Sequence, residues 1–239
     1  MLTHTLFAEA EKIELPDSDI VLYPALFARE QSDAFFKEFL HNSRWRQEQI
    51  KVYGKMIDLP RLTAWVGDEG LTYQYSGIVV NPQPWTPSLL RIKKEVEAVS
   101  DGVSFNSVLL NLYRTNRDSV AWHSDDEPEL GRSPAIGSVS FGEERRFQFK
   151  HKKSKYLRHE IHLVHGAYLL MKGATQQCWL HQVPKETRPC EPRINLTFRT
   201  IIDRKPDPPP QSMAGRPQRR CRGTPLEAAD CLVAGRRPE

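Results

Sequence analysis

The chain has 239 residues, of which 39% are hydrophobic and 27% are charged. This length suits one catalytic domain followed by a tail, and the composition is typical of a soluble globular protein. No apolar run is long enough to cross a membrane, and the N-terminal segment lacks the basic and apolar regions of a signal peptide. The formal net charge of +4 is compatible with a polyanionic partner but does not identify one.

Two helices are predicted in the first half of the chain. The first runs from about Arg29 to His41, where apolar residues recur at helical spacing. The second begins after Thr86, whose side chain can cap it, and Pro87 suits the first helical position because no hydrogen-bonded N–H is needed there. Its apolar stripe stops before Gly102, which predicts the end of this helix.

After Gly102 the pattern changes to short runs that are typical of strands separated by polar turns. In RFQFK, for example, alternation gives one buried and one solvated face. Several strands without intervening helices favour an antiparallel sandwich or barrel, so the predicted fold class is α+β. The predicted strands are Ser107–Arg114, Ala135–Phe141, Arg146–Lys150, Glu160–Val164, Ala167–Met171 and Arg193–Ile201.

The last segment, 203–239, is rich in Pro, Arg and Gly and is predicted to be a basic disordered tail, because it cannot bury enough apolar surface to become ordered. It is either a solvated terminus or an extra arm that attracts phosphate. The four cysteines contain no CxxC pair, which favours a reduced, intracellular setting. The compartment is then the cytoplasm of a bacterium or the nucleus of a eukaryote, and a monomer is the default.

The most informative residues for function are His123 and Asp125, one position apart at the end of a predicted strand, with His181 much later in the chain. Because side chains alternate along a strand, His123 and Asp125 point to the same side. Two histidines and one carboxylate leave three octahedral positions open, which is the ligand set of non-haem iron(II) oxygenases. As a bare pattern, HxD also fits an exposed turn or a hydrogen-bonded strand end.

The segment RINLTFR places a polar row on one strand face and an apolar row on the other. Two inward guanidiniums are costly unless they meet anions, and a dicarboxylate supplies two. The alternative is a pair of internal salt bridges. The polar row consists of Arg193, Asn195, Thr197 and Arg199, and the apolar row of Ile194, Leu196 and Phe198.

Asn111 and Tyr113 share a face of the predicted strand LLNLYR. An amide and a phenol can add neutral donors to a pocket for a carboxylate co-substrate. Ordinary strand packing explains the pair equally well when these residues are considered alone.

In this order and spacing, the segments NLY, WHSDDE, WLHQVP and RINLTFR resemble the catalytic core of the AlkB family of iron(II)- and 2-oxoglutarate-dependent dioxygenases. The resemblance covers roughly Val52 to Ile201 and matches the pattern of HxD, distal His and RxNxTxR without departure. It implies a domain at 1–202 with supporting N-terminal helices and a double-stranded β-helix, or jelly-roll, core at about 105–202.

The same resemblance implies an activity and a site. N-alkylated bases such as 1-methyladenine and 3-methylcytosine would be dealkylated in DNA, with release of formaldehyde, succinate and carbon dioxide. Iron(II) would be held by His123, Asp125 and His181. 2-Oxoglutarate would be held by Asn111, Tyr113, Arg193, Asn195 and Arg199, with Thr197 lining the pocket.

The segment VYGKMIDLPRLTAWVGDEGLTYQYSG is similar to the nucleotide-recognition lid of the branch that contains human AlkB homologues two and three, and it predicts a lid at about 50–80. Here Tyr73 and Tyr75 alternate on a short strand, where aromatic faces can stack a base. Arg61 can pair with phosphate. Half-buried strand aromatics are the alternative for the tyrosines.

An enzyme that acts on the pairing edge of a base must use single strands or take the base out of the stack. By the resemblance, Tyr53 would be a finger that fills the gap left in a duplex. Tyr75 and His123 would sandwich the flipped base, and Asp126 and Glu127 would lie near its polar edge.

A dense group of basic residues between the strands of His123 and His181 is predicted to form a rim that contacts phosphates, although a solvated hairpin is the alternative. The rim comprises Arg145, Arg146, Lys150, Lys152, Lys153 and Lys155. Three nearby histidines, His159, His162 and His165, are interpreted as surface or packing residues, because their spacing does not keep one strand face and no cysteines flank them.

Three other functions compete with this interpretation. The same oxygenase chemistry can act on methylated RNA or on a protein side chain. A non-catalytic nucleic-acid-binding module with a vestigial jelly roll belongs to a different class, and the intact ligand set argues against it. A serine hydrolase is disfavoured because the sequence has no GxSxG motif.

Overall fold

The computed structural model describes residues 9–52, 54–71, 73–75 and 78–202, and at 51–52, 73–75 and 78–80 it describes the backbone alone. Tyr53 and the predicted tail at 203–239 lie outside the described residues. The domain boundary at 202 therefore stays a prediction.

The described residues form fifteen strands, three helices and one 3₁₀ turn at Pro128–Leu130. The helices are α1 (Arg29–Asn42), α2 (Pro87–Ala98) and α3 (Thr175–Cys178). The strands are β1 (Glu11–Ile13), β2 (Asp19–Tyr23), β3 (Gln49–Val52), β4 (Lys55–Asp58), β5 (Leu62–Gly67), β6 (Tyr73–Tyr75), β7 (Ile78–Val80), β8 (Ser107–Tyr113), β9 (Val120–His123), β10 (Ile136–Gly142), β11 (Arg145–His151), β12 (Arg158–Leu163), β13 (Tyr168–Lys172), β14 (Trp179–Val183) and β15 (Arg193–Arg199).

Both predicted helices are confirmed. The Thr86 side chain accepts a hydrogen bond from the backbone N–H of Leu89 at 3.3 Å, which satisfies one of the free donors at the start of α2. Leu89, Ile92 and Val96 face inward and are fully or almost fully buried. The amphipathic stripe that was visible in the sequence is therefore the surface by which α2 packs on the core.

Two antiparallel sheets make up most of the domain. The large sheet has the order β1-β2-β13-β10-β15-β8-β5, and the small sheet has the order β12-β11-β14-β9. One apolar cluster joins α1 and α2 to one face of the large sheet, through residues such as Phe39, Ile92 and Leu196. A second cluster, which includes Leu169 and Phe149, draws on the large and the small sheet together. This arrangement confirms the predicted α+β jelly roll, with helices supporting its outer face.

The alternation of side chains along each strand explains how the large sheet packs against both apolar clusters. In β13, Leu170 belongs to the cluster with the helices, while its neighbours Leu169 and Met171 belong to the cluster that includes the small sheet. Because successive side chains point to opposite faces, a strand buried on both sides needs a continuous apolar run. The sequence YLLM meets that need.

The structure differs from the prediction of one lid at about 50–80, because one strand of that segment belongs to the large sheet. Strands β3 and β4 form one hairpin and β6 and β7 another, but β5 between them pairs with β8 in the large sheet. Ala64 and Val66 of β5 are buried in the core. Two hairpins therefore flank a core strand instead of forming one continuous lid. No helix among the described residues is long and apolar enough to span a bilayer.

Gly142 at the end of β10 provides a test of the packing. Its φ is +91°, and a Cβ atom there would collide with the Pro192 carbonyl oxygen and lie 2.6 Å from the Phe36 ring. Gly70 also has a positive φ, of +86°, but no atom of the described residues lies within 4 Å of the place of its Cβ. We expect Gly142→Ala to lower the free energy of unfolding by about 2–4 kcal/mol and Gly70→Ala by about 1 kcal/mol.

Urea unfolding of both variants, followed by circular dichroism, measures this difference. Equal losses for the two variants would contradict the close packing of α1 and the β14–β15 connection around Gly142.

Candidate active site

Two side chains of the small sheet and one from the segment that follows β9 converge at one point. His123 ends β9 and is the Cα partner of His181 in β14, and the centroids of the two rings lie 4.3 Å apart. Asp125 follows two residues after His123, and its Oδ2 lies 3.4 Å from His181 Nε2. Each of the three offers one ligand atom, and these atoms lie within 4.8 Å of one another. The structure thus brings together the three residues that the HxD pattern and the distal histidine predicted.

The electrostatics of this group favour metal binding. Burial alone would raise the pKa of the Asp125 carboxyl, but the Arg199 guanidinium and a hydrogen bond with His181 hold that pKa well below its usual range. Burial, and then the nearby His181, lowers the pKa of His123 to about 4, so its ring is neutral at pH 7. A carboxylate and neutral imidazoles are the forms that bind metals.

Backbone and side-chain contacts fix the orientation of the ligands. His123 Nδ1 lies 2.8 Å from the carbonyl oxygen of Ala121, which assigns the proton to Nδ1 and leaves the Nε2 lone pair for a ligand. The backbone N–H of Asp125 donates to Gln176 Oε1 at 3.0 Å. Because two nitrogens and one carboxylate leave a face open, this donor set fits iron(II).

The polar row of β15 lines a cavity next to this group. Arg193, Asn195, Thr197 and Arg199 all contribute to its wall, together with Asn111 and Tyr113 of β8. On the opposite face, Ile194, Leu196 and Phe198 are completely buried. The sequence prediction of a polar row backed by core is confirmed.

Arg193 is the charge at the buried end of this row. Only 1% of the residue is exposed, and its Nη2 donates to Ser140 Oγ at 2.9 Å. Its Nε and Nη1 are buried without a hydrogen-bond partner among the described residues. Burial lowers the pKa of the guanidinium to about 10, so it stays charged at neutral pH. A buried cation with unused donors fits a carboxylate of a bound acid.

Tyr113 lies between two guanidiniums. Its ring centroid is 5.2 Å from the Arg193 guanidinium carbon and 5.5 Å from that of Arg145. Two cation–π contacts restrict the phenol ring to the orientation in which it lines the cavity.

The remaining polar side chains of the cavity hold one another in place. Asn195 Nδ2 donates to Ser138 Oγ at 2.7 Å, and its Oδ1 accepts from Thr197 Oγ1 at 2.8 Å. Asn111, the Cα partner of Asn195, accepts from Arg61 Nε at 2.8 Å. The contact of Arg61 with Asn111 was missed in the sequence, because it joins residues fifty positions apart and no local pattern signals it.

Arg199 contacts the carboxylate of Asp125 through its Nη2. The internal ion pair, which the sequence left open as an alternative, is thus present for Arg199. This contact connects β15 of the large sheet to the group of ligand atoms on the small sheet, and it also accounts for part of the lowered pKa of Asp125.

The residues predicted to contact the base are described in part. Asp126 is exposed, and its Oδ2 accepts from Lys152 Nζ at 2.9 Å. Glu127 is half-buried, and burial raises the pKa of its carboxyl, with a further contribution from the charge of Asp125. For Tyr73 and Tyr75 the structure gives strand β6, and their side chains lie outside the described part of the chain, as does Tyr53.

The predicted basic rim is wrong for Arg145. Only 1% of this residue is exposed, and its Nη2 donates to the carbonyl oxygens of Asp118 at 2.9 Å and Pro184 at 2.7 Å. A side chain that ties two loops together in this way cannot reach a phosphate in solution. Arg146 pairs with Glu186 at 3.0 Å, whereas Lys153 and Lys155 are exposed.

Comparison with known proteins agrees with this geometry. The model of the 2OG-Fe(II) oxygenase superfamily matches residues 19–199. The alpha-ketoglutarate-dependent dioxygenase alkB homolog 3 of Homo sapiens is 44% identical over 200 residues, which are 80% of this chain and 68% of that protein. The DNA oxidative demethylase ALKBH2 of Mus musculus is 38% identical over 193 residues, which are 77% of this chain and 80% of that protein.

A solved structure supports the fold. The structure of OsALKBH1 superimposes with a TM-score of 0.55 at 16% identity, and the match covers 80% of this chain and all of that one. The match of the superfamily model over most of the chain, together with relatives of this identity, shows that the chain belongs to the AlkB family of 2OG-Fe(II) oxygenases.

Proposed function

We propose that this chain oxidatively removes alkyl groups from bases in DNA, such as 1-methyladenine and 3-methylcytosine, with iron(II), dioxygen and 2-oxoglutarate. The observation that carries the proposal is that the His123–Asp125–His181 group and the buried guanidinium of Arg193 line the same cavity. Relatives of this chain are named DNA oxidative demethylase. We further propose an intracellular monomer, with alkylated RNA as a second substrate class.

In this proposal His123, Asp125 and His181 hold the iron ion. When bound there, iron(II) would supply the activation of dioxygen, coupled to the oxidative decarboxylation of 2-oxoglutarate to succinate and carbon dioxide. The chain itself contributes by holding the ligand side chains in fixed orientations. His123 is held by its hydrogen bond to Ala121, and the ring of His181 stacks on Phe147 with centroids 5.3 Å apart, so neither imidazole has to reorganise.

Arg199 keeps the carboxylate of Asp125 ionised, which is the form that binds a metal ion. Its contact with Asp125 stabilises the ionised form, so the ligand is charged throughout the physiological pH range. The same contact limits rotation of the Asp125 side chain. Arg199 would therefore influence a bound metal through its ligand Asp125, and it also lines the cavity.

Arg193 is proposed to bind a carboxylate of 2-oxoglutarate through Nε and Nη1, for which the described part of the chain offers no hydrogen-bond partner. Charge-assisted and bidentate contacts of this kind orient a dicarboxylate as well as bind it. The neutral groups around it add selectivity without further charge, because an amide and a phenol can donate to the same oxygens. These groups are Asn111, Tyr113, Asn195 and Thr197.

The base is proposed to enter between the lid hairpins and the metal ligands. Tyr75 and His123 would stack on its two faces, and Asp126 and Glu127 would lie near its polar edge. Glu127 is half-buried at this edge, and burial raises the pKa of its carboxyl.

The other lid residues complete this proposal. Tyr53 would fill the gap that the flipped base leaves in a duplex, and Tyr73 would contribute a second stacking surface. Arg61 lies at Asn111 and lines the cavity, so its proposed reach toward phosphate requires that it leave this hydrogen bond. Stacking on an aromatic ring tolerates different bases, and the pocket edge then selects among them.

The metal assignment predicts the effect of removing one ligand. We expect His181→Ala to lower iron-dependent succinate release by at least about 100-fold, because even loss of a group that only orients a metal ligand costs 10- to 100-fold. His162→Ala is the matched control, since that side chain is exposed and pairs with Glu144. Retained turnover in iron-saturated His181→Ala protein with native circular dichroism would rule out this ligand.

Arg193→Met tests the co-substrate pocket. Loss of charge-assisted hydrogen bonds worth about 1.5–3 kcal/mol should raise the KM for 2-oxoglutarate by roughly 10- to 150-fold. Arg91→Met, on the exposed side of α2, should leave this KM unchanged. Succinate formation is measured against 2-oxoglutarate concentration, and an unaltered KM for Arg193→Met would remove Arg193 from the pocket.

Tyr75→Ala tests base stacking separately from oxygen chemistry. Stacking on an aromatic ring is worth roughly 1–3 kcal/mol per base, so the KM for a methylated oligonucleotide should rise about 5- to 150-fold. Succinate release without nucleic acid should not change. Tyr156→Ala, an 83%-exposed tyrosine outside the lid, is the control. If both variants repaired the oligonucleotide like wild type, the stacking role of Tyr75 would fail.

A further inference from the structure

Two groups of metal-binding side chains occur among the described residues, and only one is the His123–Asp125–His181 group. The second consists of Asp17, His151 and Cys178. Asp17 lies in the turn between β1 and β2, His151 is the last residue of β11, and Cys178 is the last residue of α3. The oxygenase chemistry uses none of them.

The geometry of this second group is that of ligands around one ion. The candidate ligand atoms lie within 4.8 Å of one another, and His151 Nε2 is 3.6 Å from Asp17 Oδ2. In a tetrahedral zinc site, bonds of about 2.0–2.3 Å place neighbouring ligand atoms about 3.3–3.8 Å apart. The separation between the histidine and the aspartate is already close to that value.

His151 provides the independent sign of a ligand. Its side chain is only 8% exposed, and its Nε2 is buried without a hydrogen-bond partner among the described residues. A buried polar atom that lacks a partner is costly. The ring is held from the side by the indole of Trp179, with centroids 5.1 Å apart at 82°. The unpaired nitrogen therefore points into the group instead of rotating toward solvent.

Hydrogen bonds between the three elements bring the ligands together before any ion binds. Trp179 Nε1 donates to the carbonyl oxygen of Pro16 at 2.8 Å, which holds the turn of Asp17 against β14. The backbone N–H of Lys152 donates to the carbonyl oxygen of Cys178 at 2.7 Å, which joins the end of β11 to α3. Little backbone movement is then needed to close the site.

We propose that Asp17, His151 and Cys178 form a second metal site, selective for Zn²⁺, with water as the fourth ligand. A thiolate, an imidazole and a carboxylate are established zinc ligands, and the sulfur distinguishes this site from the nitrogen and oxygen donors proposed for iron. Asp17 is exposed on its outer side, which leaves room for the water. Binding releases the thiol proton of Cys178 to solvent.

One hydrogen bond is exchanged when the ion binds. His151 Nδ1 accepts from the backbone N–H of Lys153 at 3.2 Å, whereas ligation through Nε2 requires the proton on Nδ1. Lys153 is exposed, so its N–H can turn to water. The bound ion would tie the β1–β2 turn to β11 and to the start of β14, the strand that carries His181.

The test uses Co²⁺ as a spectroscopic substitute for Zn²⁺ in the full-length apoprotein. Co²⁺ bound to a thiolate gives a near-ultraviolet charge-transfer band, which the sulfur-free oxygenase site cannot give. We expect two Co²⁺ per wild-type chain, with the band, and one Co²⁺ without the band for Cys178→Ser. The matched control is a variant with Cys190, Cys221 and Cys231 all replaced by serine. It should bind two Co²⁺ and show the charge-transfer band.

Asp17→Asn keeps the thiol and the exposed turn and covers the case in which Cys178→Ser fails to fold. We expect it to bind Zn²⁺ at least about tenfold more weakly in competition with a chromophoric chelator. Zn²⁺ should raise the Tm of wild type more than that of either variant. A single Co²⁺ per wild-type chain, a band that survives in Cys178→Ser, or equal Zn²⁺ affinity of Asp17→Asn and wild type would overturn the proposal.

Discussion

The contact between Asp125 and Arg199 is the interaction on which the rest of the site depends. Asp125 follows β9 of the small sheet and Arg199 ends β15 of the large sheet, so the ion pair joins the two layers where the ligand atoms meet. A buried carboxylate would take up a proton unless a partner compensated for its lost hydration. Arg199 provides that compensation and keeps Asp125 ionised. The ion pair that joins the two sheets at this point therefore also keeps a candidate metal ligand in its charged form.

Strand pairing does the remaining positioning. The register of β9 and β14 sets His123 opposite His181, and the register of β8 and β15 sets Asn111 opposite Asn195 and Tyr113 opposite Arg193. A slip of one residue in either pair would turn these side chains into the apolar cores. Because Ile194, Leu196 and Phe198 are fully buried on the other face of β15, such a slip would also expose core residues. Packing thus fixes the geometry of the polar groups.

The sequence predicted those features that depend on neighbouring residues alone, such as the two faces of a strand and the capped start of a helix. RINLTFR identified both faces of β15, and Thr86 with Pro87 located the start of α2. Features that depend on distant partners were not accessible. Arg145 has the charge expected of a phosphate ligand, but its carbonyl partners at Asp118 and Pro184 come from two loops far apart in the chain. β5 was assigned to the lid because its place in the large sheet depends on pairing with β8.

The central claim is that the iron and 2-oxoglutarate site acts on alkylated bases. The most direct measurement is release of succinate and formaldehyde by the purified full-length chain with iron(II), 2-oxoglutarate and ascorbate. Oligonucleotides carrying 1-methyladenine, in DNA as single strand and duplex and in RNA, are compared with unmodified controls. The account predicts release of both products that depends on the lesion in DNA, with formaldehyde equal to the succinate formed above the level released without nucleic acid. Succinate without lesion-dependent formaldehyde from any of these oligonucleotides would contradict it.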